Sequence, residues 1–71
     1  MQRQKLEQIA VVIPCYNEAK GIAKVIKKFP HEKLAKYGFE IQVYVIDNNS
    51  KDNTAEVARR AGAIVILEKK K

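Results

Sequence analysis

The chain has one cysteine, one histidine, no tryptophan, two prolines and three glycines in 71 residues. With Cys15 alone no disulfide can cross-link it, and with His31 as the one other soft ligand a zinc cluster is excluded. It also lacks an apolar run of the ~20 residues that cross a bilayer. Its start, MQRQKLEQ, has no signal-peptide core. These absences point to a reducing cytoplasm and to a soluble or peripheral protein. Aromatics make up 7% of the chain, they are not interleaved with the basic residues, and no nucleic-acid motif is present. A nucleic-acid partner is therefore not expected.

What is present is a globular composition. The 46% hydrophobic content argues against disorder and the 31% charged content against a membrane protein. A chain this short buries only about 60% of its unfolded surface, which leaves it marginally stable. Three of the six net positive charges are Lys69, Lys70 and Lys71, and most other lysines fall on one helical face. That distribution reads as a solvated helix surface and a basic chain end.

Ile9-Ala10-Val11-Val12-Ile13, ended by Pro14, reads as a strand buried on both faces, as in parallel sheets. Ile22, Val25, Ile26 and Phe29 recur at i, i+3, i+4 and i+7 with Lys20, Lys24, Lys27 and Lys28 at the other positions, which predicts an amphipathic helix with a lysine-coated outer face. Asn17 is the expected N-cap, Glu18 suits the first turn, and Pro30 stops the helix. His31 to Tyr37 adds a further turn or two, closed by Gly38. Ile41 to Ile46 is the second strand, followed by Asp47-Asn48-Asn49-Ser50. Asn53 and Glu56 resemble a capping box opening a second helix with Val57, Ala58 and Ala61 on its apolar stripe. Gly62 ends that helix, and Ala63 to Leu67 is the third strand.

The alternation β-α-β-α-β predicts an α/β fold with a parallel three-stranded sheet and right-handed crossovers. No linker or repeat divides residues 1–71, so a single domain is expected. If the strands advance in one direction, both helices cover the same face, leaving the other face bare and the first strand an open edge. The arrangement is that of half a domain. Self-association through the uncovered sheet face or the first-strand edge follows as an expectation.

Ligands of open α/β sheets sit beyond the carboxyl ends of the strands, where Pro14 to Glu18 and Asp47 to Ser50 fall. A dinucleotide-binding turn would need G-x-G-x-x-G, but the one nearby glycine is Gly21 and Glu18 puts a negative charge where a phosphate would rest. A neutral base or ribose suits this position better.

The segment Val11-Val12-Ile13-Pro14-Cys15-Tyr16-Asn17-Glu18 resembles the opening P-x-Y-N-E strand of family 2 glycosyltransferases, which adopt the nucleotide-sugar-binding GT-A fold. Val43 to Thr54, with Asp47, Asn48, Ser50, Asp52 and Thr54, is similar to that family's second strand and its D-D/N-x-S-x-D-x-T loop. The resemblance covers nearly the whole chain and implies half of a GT-A, Rossmann-like domain, truncated. The implied reaction is inverting sugar transfer from a UDP- or GDP-sugar to an acceptor hydroxyl. Pro14 would shape the loop against the base, Tyr16 would lie on base or ribose, and Glu18 would accept a nucleotide hydrogen bond. Ile46 would meet the base through its backbone. Asn48 stands where many members have a carboxylate, and its amide oxygen is a weaker acceptor, which leaves the base open. Asp47 belongs to the same nucleotide-binding set or instead ties the two loops together, with Ser50 and Asp52 fixing the turn into the second helix. For Tyr16 the structural alternative is packing under the loop, and for Glu18 a dipole-favoured place in a helix first turn.

Cys15 reads as a small buried filler and His31 as a surface residue, not as a catalytic pair. The family's metal-holding D-x-D and its general base have no counterpart here, since the one acidic residue after Glu56 is Glu68. No catalytic or metal-binding residue is assigned. A divalent metal, magnesium or manganese, is implied for the full-length family alone, and the chain by itself is expected to be inactive. Any membrane contact would come from a C-terminal part of a full-length parent at the cytoplasmic face. The alternative reading is a small basic α/β module that self-associates or binds nucleic acid or protein.

Overall fold

A computed structural model describes residues 6–69. The chain start and Lys70 and Lys71 of the basic run lie outside the described residues. In chain order the elements are β1 (Glu7–Cys15), α1 (Ile22–Lys28), α2 (His31–Lys36), β2 (Phe39–Asp47), α3 (Thr54–Arg60) and β3 (Ile64–Leu67). The sheet has the order β1-β2-β3, and both neighbouring pairs are parallel. This is the expected β-α-β-α-β arrangement, with the first crossover broken into two short helices.

The β-branched runs extend because their side chains pack well on a pleated surface. Strand β1 runs two residues past Ile13 and contains Pro14, which pairs with Ile46. A proline is tolerated there because β1 is an edge strand. The hydrogen bond from Asn48 N–H to Cys15 C=O turns the odd-numbered backbone groups of β1 toward β2. Pro14, at an even position, therefore presents its missing N–H to the outer edge. Strand β3 is much shorter than β2 and pairs only with Tyr44–Asp47.

Odd-numbered residues of the strands face the helices. Val43 and Val45 are buried there, with Cys15, Ile22, Ile26, Ala58 and Ala63 completing the core. Helices α1 and α3 touch each other, and α3 also touches β2 and β3, so they share one face of the sheet. A seven-residue helix is not stable alone in water. What holds α1 is Ile22 and Ile26, each worth roughly 1.5–3 kcal/mol when buried. Val25 instead points outward, so the buried stripe is narrower than the sequence periodicity predicts.

The expected helix starts need correction. Helix α1 begins at Ile22 with Gly21 at its N-cap, because Glu18 C=O accepts from both Gly21 and Ile22 N–H and forms a preceding turn. Asn17 lies before that turn and is not a cap. Asn53 does hold the N-cap position of α3, but its side chain makes no capping bond, and Glu56 pairs with Arg60 instead of closing a capping box. Phe29 closes α1 in an extended conformation, as a residue before proline prefers. Gly38 and Gly62 end α2 and α3 with φ of 90° and 106°, a region costly for other residues.

The strands are not buried on both faces as their continuous apolar runs suggest. On the helix-free face Val12, Ile64 and Ile66 are 57%, 46% and 49% exposed. The bare face and the open edge of β1 follow from the parallel order and the single helical layer.

Candidate functional site

The carboxyl ends of β1 and β2 lie side by side in register, Cys15 opposite Asp47. Asn48 N–H donates to Cys15 C=O at 2.8 Å, which extends the ladder one step beyond the strands. The loops that leave these ends, residues 16–21 and 48–53, are then joined by side chains into one ledge.

Two carboxylate–hydroxyl–amide relays make the join. Asp47, only 3% exposed, accepts from Ser50 N–H at 3.0 Å and from the Ser50 hydroxyl. The Ser50 Oγ in turn accepts from Asn17 N–H at 2.8 Å. Asp52 repeats the pattern: it accepts from Thr54 N–H at 3.0 Å and from the Thr54 hydroxyl, whose Oγ1 accepts from Glu18 N–H at 2.8 Å. The other Asp52 oxygen accepts from Ala19 N–H at 3.3 Å. A return bond runs from Lys51 N–H to Asn17 Oδ1 at 2.8 Å. The backbone N–H groups of Asn17, Glu18 and Ala19 are therefore all used within the protein.

Asn17 and Asn49 adopt φ of 51° and 60°. Asparagine tolerates this left-handed region better than most side chains. At Asn17 it aims the N–H at Ser50 and the side-chain oxygen at Lys51 simultaneously.

Electrostatics follow the same pattern. The Thr54 hydroxyl holds the Asp52 carboxyl below the usual aspartate range against the opposing effect of desolvation, with lesser help from the Ala19, Thr54 and Asp52 N–H groups. Burial pushes the Cys15 thiol up, and the charges of Glu18 and Asp47 push it further. Cys15 is thus a neutral core thiol with none of the activation a nucleophile needs. His31 Nε2 lies 3.1 Å from Ile26 C=O at the turn between α1 and α2, where its ring meets Phe29 edge-on.

The six residues singled out in the sequence divide by the direction they face. Tyr16 is 48% exposed, and Pro14, Glu18 and Asn48 are exposed beside it at the carboxyl edge. Ile46 is half-buried on the helix-free face, opposite Pro14. Asp47 alone turns inward, where it anchors the Ser50 relay. The participation of Thr54, Asn17 and Ala19 was not read from the sequence. The D-x-x-S and D-x-T spacings signal turns in which an aspartate bonds backbone two or three residues ahead, but not what the hydroxyl does next.

The carboxylates do not fit a resident divalent metal. Among the described residues no three histidine, cysteine, aspartate or glutamate side chains converge. Asp47 and Asp52 each spend their Oδ1 on a hydroxyl and an amide of their own loop.

Residues 10–71 match the family described as Glycosyl transferase family 2. The chain is 54% identical over 57 residues to Protein RfbJ of Shigella flexneri, an alignment that covers 80% of this chain and 40% of that protein. It is 40% identical over 62 residues to the uncharacterized glycosyltransferase Rv0539 of Mycobacterium tuberculosis, covering 87% of this chain and 25% of that protein. It is 37% identical over 59 residues to the 4,4'-diaponeurosporenoate glycosyltransferase of Staphylococcus haemolyticus, covering 83% and 14%. No solved structure matches it. The chain thus matches between 14% and 40% of the length of these relatives. With a family match from Ala10 onward that takes in both strand ends and both relays, the chain belongs to glycosyl transferase family 2.

Proposed function

We propose that the ledge formed by the β1 and β2 loops is the nucleoside-recognition edge of a nucleotide-diphosphate-sugar site. The observation that carries this reading is the sorting of side chains. Asp47, Ser50, Asp52 and Thr54 are consumed in joining the loops, while Tyr16, Glu18 and Asn48 remain exposed on the same carboxyl edge. The Tyr16 ring, the Glu18 carboxylate and the Asn48 amide form a set suited to a base and a ribose, with Lys20, Asn49 and Lys51 exposed elsewhere on the same loops.

Tyr16 offers its ring to the base or the ribose. Glu18 accepts from a ribose hydroxyl or a base N–H. The Asn48 side-chain oxygen accepts an imide proton, with Pro14 and Ile46 shaping the backbone beside it. The reaction this serves is inverting transfer of a sugar from a UDP- or GDP-sugar to an acceptor hydroxyl. The groups that hold the diphosphate and activate the acceptor would come from residues other than those of this chain, which by itself supplies recognition and no turnover.

Titration of the 71-residue chain with UDP and with GDP, followed by backbone amide shifts, tests the reading. Shifts confined to Tyr16, Glu18, Ile46 and Asn48 are expected. Tyr16→Ala should weaken binding about tenfold, the lower part of the ~1–3 kcal/mol range for base–aromatic stacking. Asn48→Asp should tighten UDP binding about fivefold, because a charged acceptor is worth ~1 kcal/mol more than a neutral one. Absence of shifts at millimolar nucleotide, together with salt-sensitive binding to RNA, would favour a basic binding module instead.

A further inference from the structure

We propose that the outer surface of the first crossover, carried by α1 and α2, is a peripheral docking surface for anionic lipid bilayers. Positive charge is gathered there. From Lys20 to Tyr37 six lysines (Lys20, Lys24, Lys27, Lys28, Lys33 and Lys36) stand against a single acid, Glu32, and all six are exposed. With His31 neutral that stretch carries a net charge of +5, and the rest of the chain together adds only one more. None of the six lysines is in an ion pair among the described residues, whereas Arg60 of α3 is bound to Glu56 at 2.8 Å. Packing fixes the side they face: Ile22 and Ile26 are buried in the core, which turns Lys24, Lys27 and Lys28 outward.

The chemistry of the surface identifies its partner. The cations of this stretch are all lysine. Lysine is a compact, strongly hydrated point charge that a diffuse negative surface attracts without fixed geometry, whereas nucleic-acid recognition favours the arginine fork. Lysine is also depleted from protein–protein interfaces. A bilayer of anionic lipids asks for neither bidentate geometry nor a dry interface, and it attracts clusters of about this many cations on an amphipathic helix. Apolar groups stand among the lysines: Val25 is 44% and Tyr37 70% exposed. A tyrosine, with its apolar ring and polar tip, suits the headgroup boundary.

The corner between α1 and α2 adds a place for one headgroup. An open hollow of about 470 Å³ is lined there by Lys27, His31 and Lys33 together with Phe29, Pro30 and Glu32. Two ammonium groups beside an aromatic ring and a proline suit a lipid phosphate and the glycerol that carries it, with Glu32 as the one opposing charge. Tyr16, Glu18 and Asn48 take no part in this surface, so lipid docking is independent of nucleoside recognition. Among the described residues no helix is long and apolar enough to cross a membrane, and the contact proposed is with the bilayer surface. It assigns a role to lysines that the sequence alone reads as a solvated helix face.

Co-sedimentation of the chain with vesicles tests this. Vesicles of equal parts phosphatidylglycerol and phosphatidylethanolamine should bind it, vesicles of phosphatidylcholine should not, and raising the salt from ~0.05 to ~0.3 M should release it. The double variant Lys24→Gln/Lys28→Gln should bind the anionic vesicles about 25-fold more weakly, about fivefold for each lysine near the surface, with an unchanged far-ultraviolet spectrum. Lys51→Gln/Lys69→Gln, which removes the same charge away from α1 and α2, should weaken binding less than about threefold. A spin-labelled lipid in the anionic vesicles should broaden the amide signals of residues 24–37 and leave those of Val12 and Ile66 sharp, which locates the contact without any substitution. Absence of binding, or equal binding to both kinds of vesicle, overturns the proposal. So do broadening centred on Val12 and Ile66, a Lys24→Gln/Lys28→Gln variant that binds like the wild type, or a preference for RNA or an acidic peptide over the anionic vesicles.

Discussion

The hydroxyls of Ser50 and Thr54 each donate to a carboxylate and accept a backbone N–H from the neighbouring loop, so one small group serves two partners. Thr54 is fully buried, and Thr54→Val would leave Glu18 N–H without its acceptor. The cost should be ~1–3 kcal/mol in urea unfolding, largely recovered by Thr54→Ser, which keeps the hydroxyl. Asp52 adds a pH dependence. Because its carboxyl is held low in the folded state, its stabilisation is present above the ordinary aspartate range and is lost as pH falls through the lowered folded value. The melting temperature of Asp52→Asn should therefore fall less steeply with acid than that of the wild type. Cys15 shifts the other way, and its alkylation near pH 8 should be far slower in the folded chain than in urea. At this scale the sequence was partly legible. The spacing of Asp47, Ser50 and Asp52 signalled tight turns, but bonds between residues 33 to 36 apart leave no local pattern, so the relays emerged only in three dimensions.

Among the elements, strands were easier to read than helix starts, for a physical reason. A run such as Val43-Tyr44-Val45-Ile46 has few alternatives to an extended, buried conformation. Asn17, by contrast, is a residue type favoured both as a helix N-cap and in the left-handed region, and the chain uses it for the second. Asn49, also left-handed, offers a clean test. Asn49→Gly should be neutral or slightly stabilising, whereas Asn49→Val should lose about 1–2 kcal/mol in chemical denaturation. Helix α1 rests on two fully buried side chains, so Ile26→Ala should cost ~2–4 kcal/mol. That is a large share of the total for a chain this size, which at ~0.05–0.15 kcal/mol per residue holds only about 4–10 kcal/mol. Circular dichroism should show the variant partly unfolded at 37 °C.

As a whole the molecule is a thin plate whose shortest extent is 14 Å, the depth of one sheet and one layer of helices. Its alternation predicted that single layer, and the exposed Val12, Ile64 and Ile66 are its result. A hydrophobic dye should bind the wild-type chain and bind Val12→Lys/Ile66→Lys several-fold less, read directly as fluorescence enhancement. The mismatch in length between β2 and β3 has a further consequence, visible in amide hydrogen exchange. Even-numbered N–H groups of β2 point to β1 along its whole length, while odd-numbered ones point to the side where β3 pairs only with Tyr44–Asp47. Deuterium should thus enter β2 in a sawtooth over its first half, fast at Phe39 and Ile41 and slow at Glu40 and Gln42. From Tyr44 onward the sawtooth should flatten into uniform protection, so that one strand records along its length where the sheet has two neighbours and where it has one.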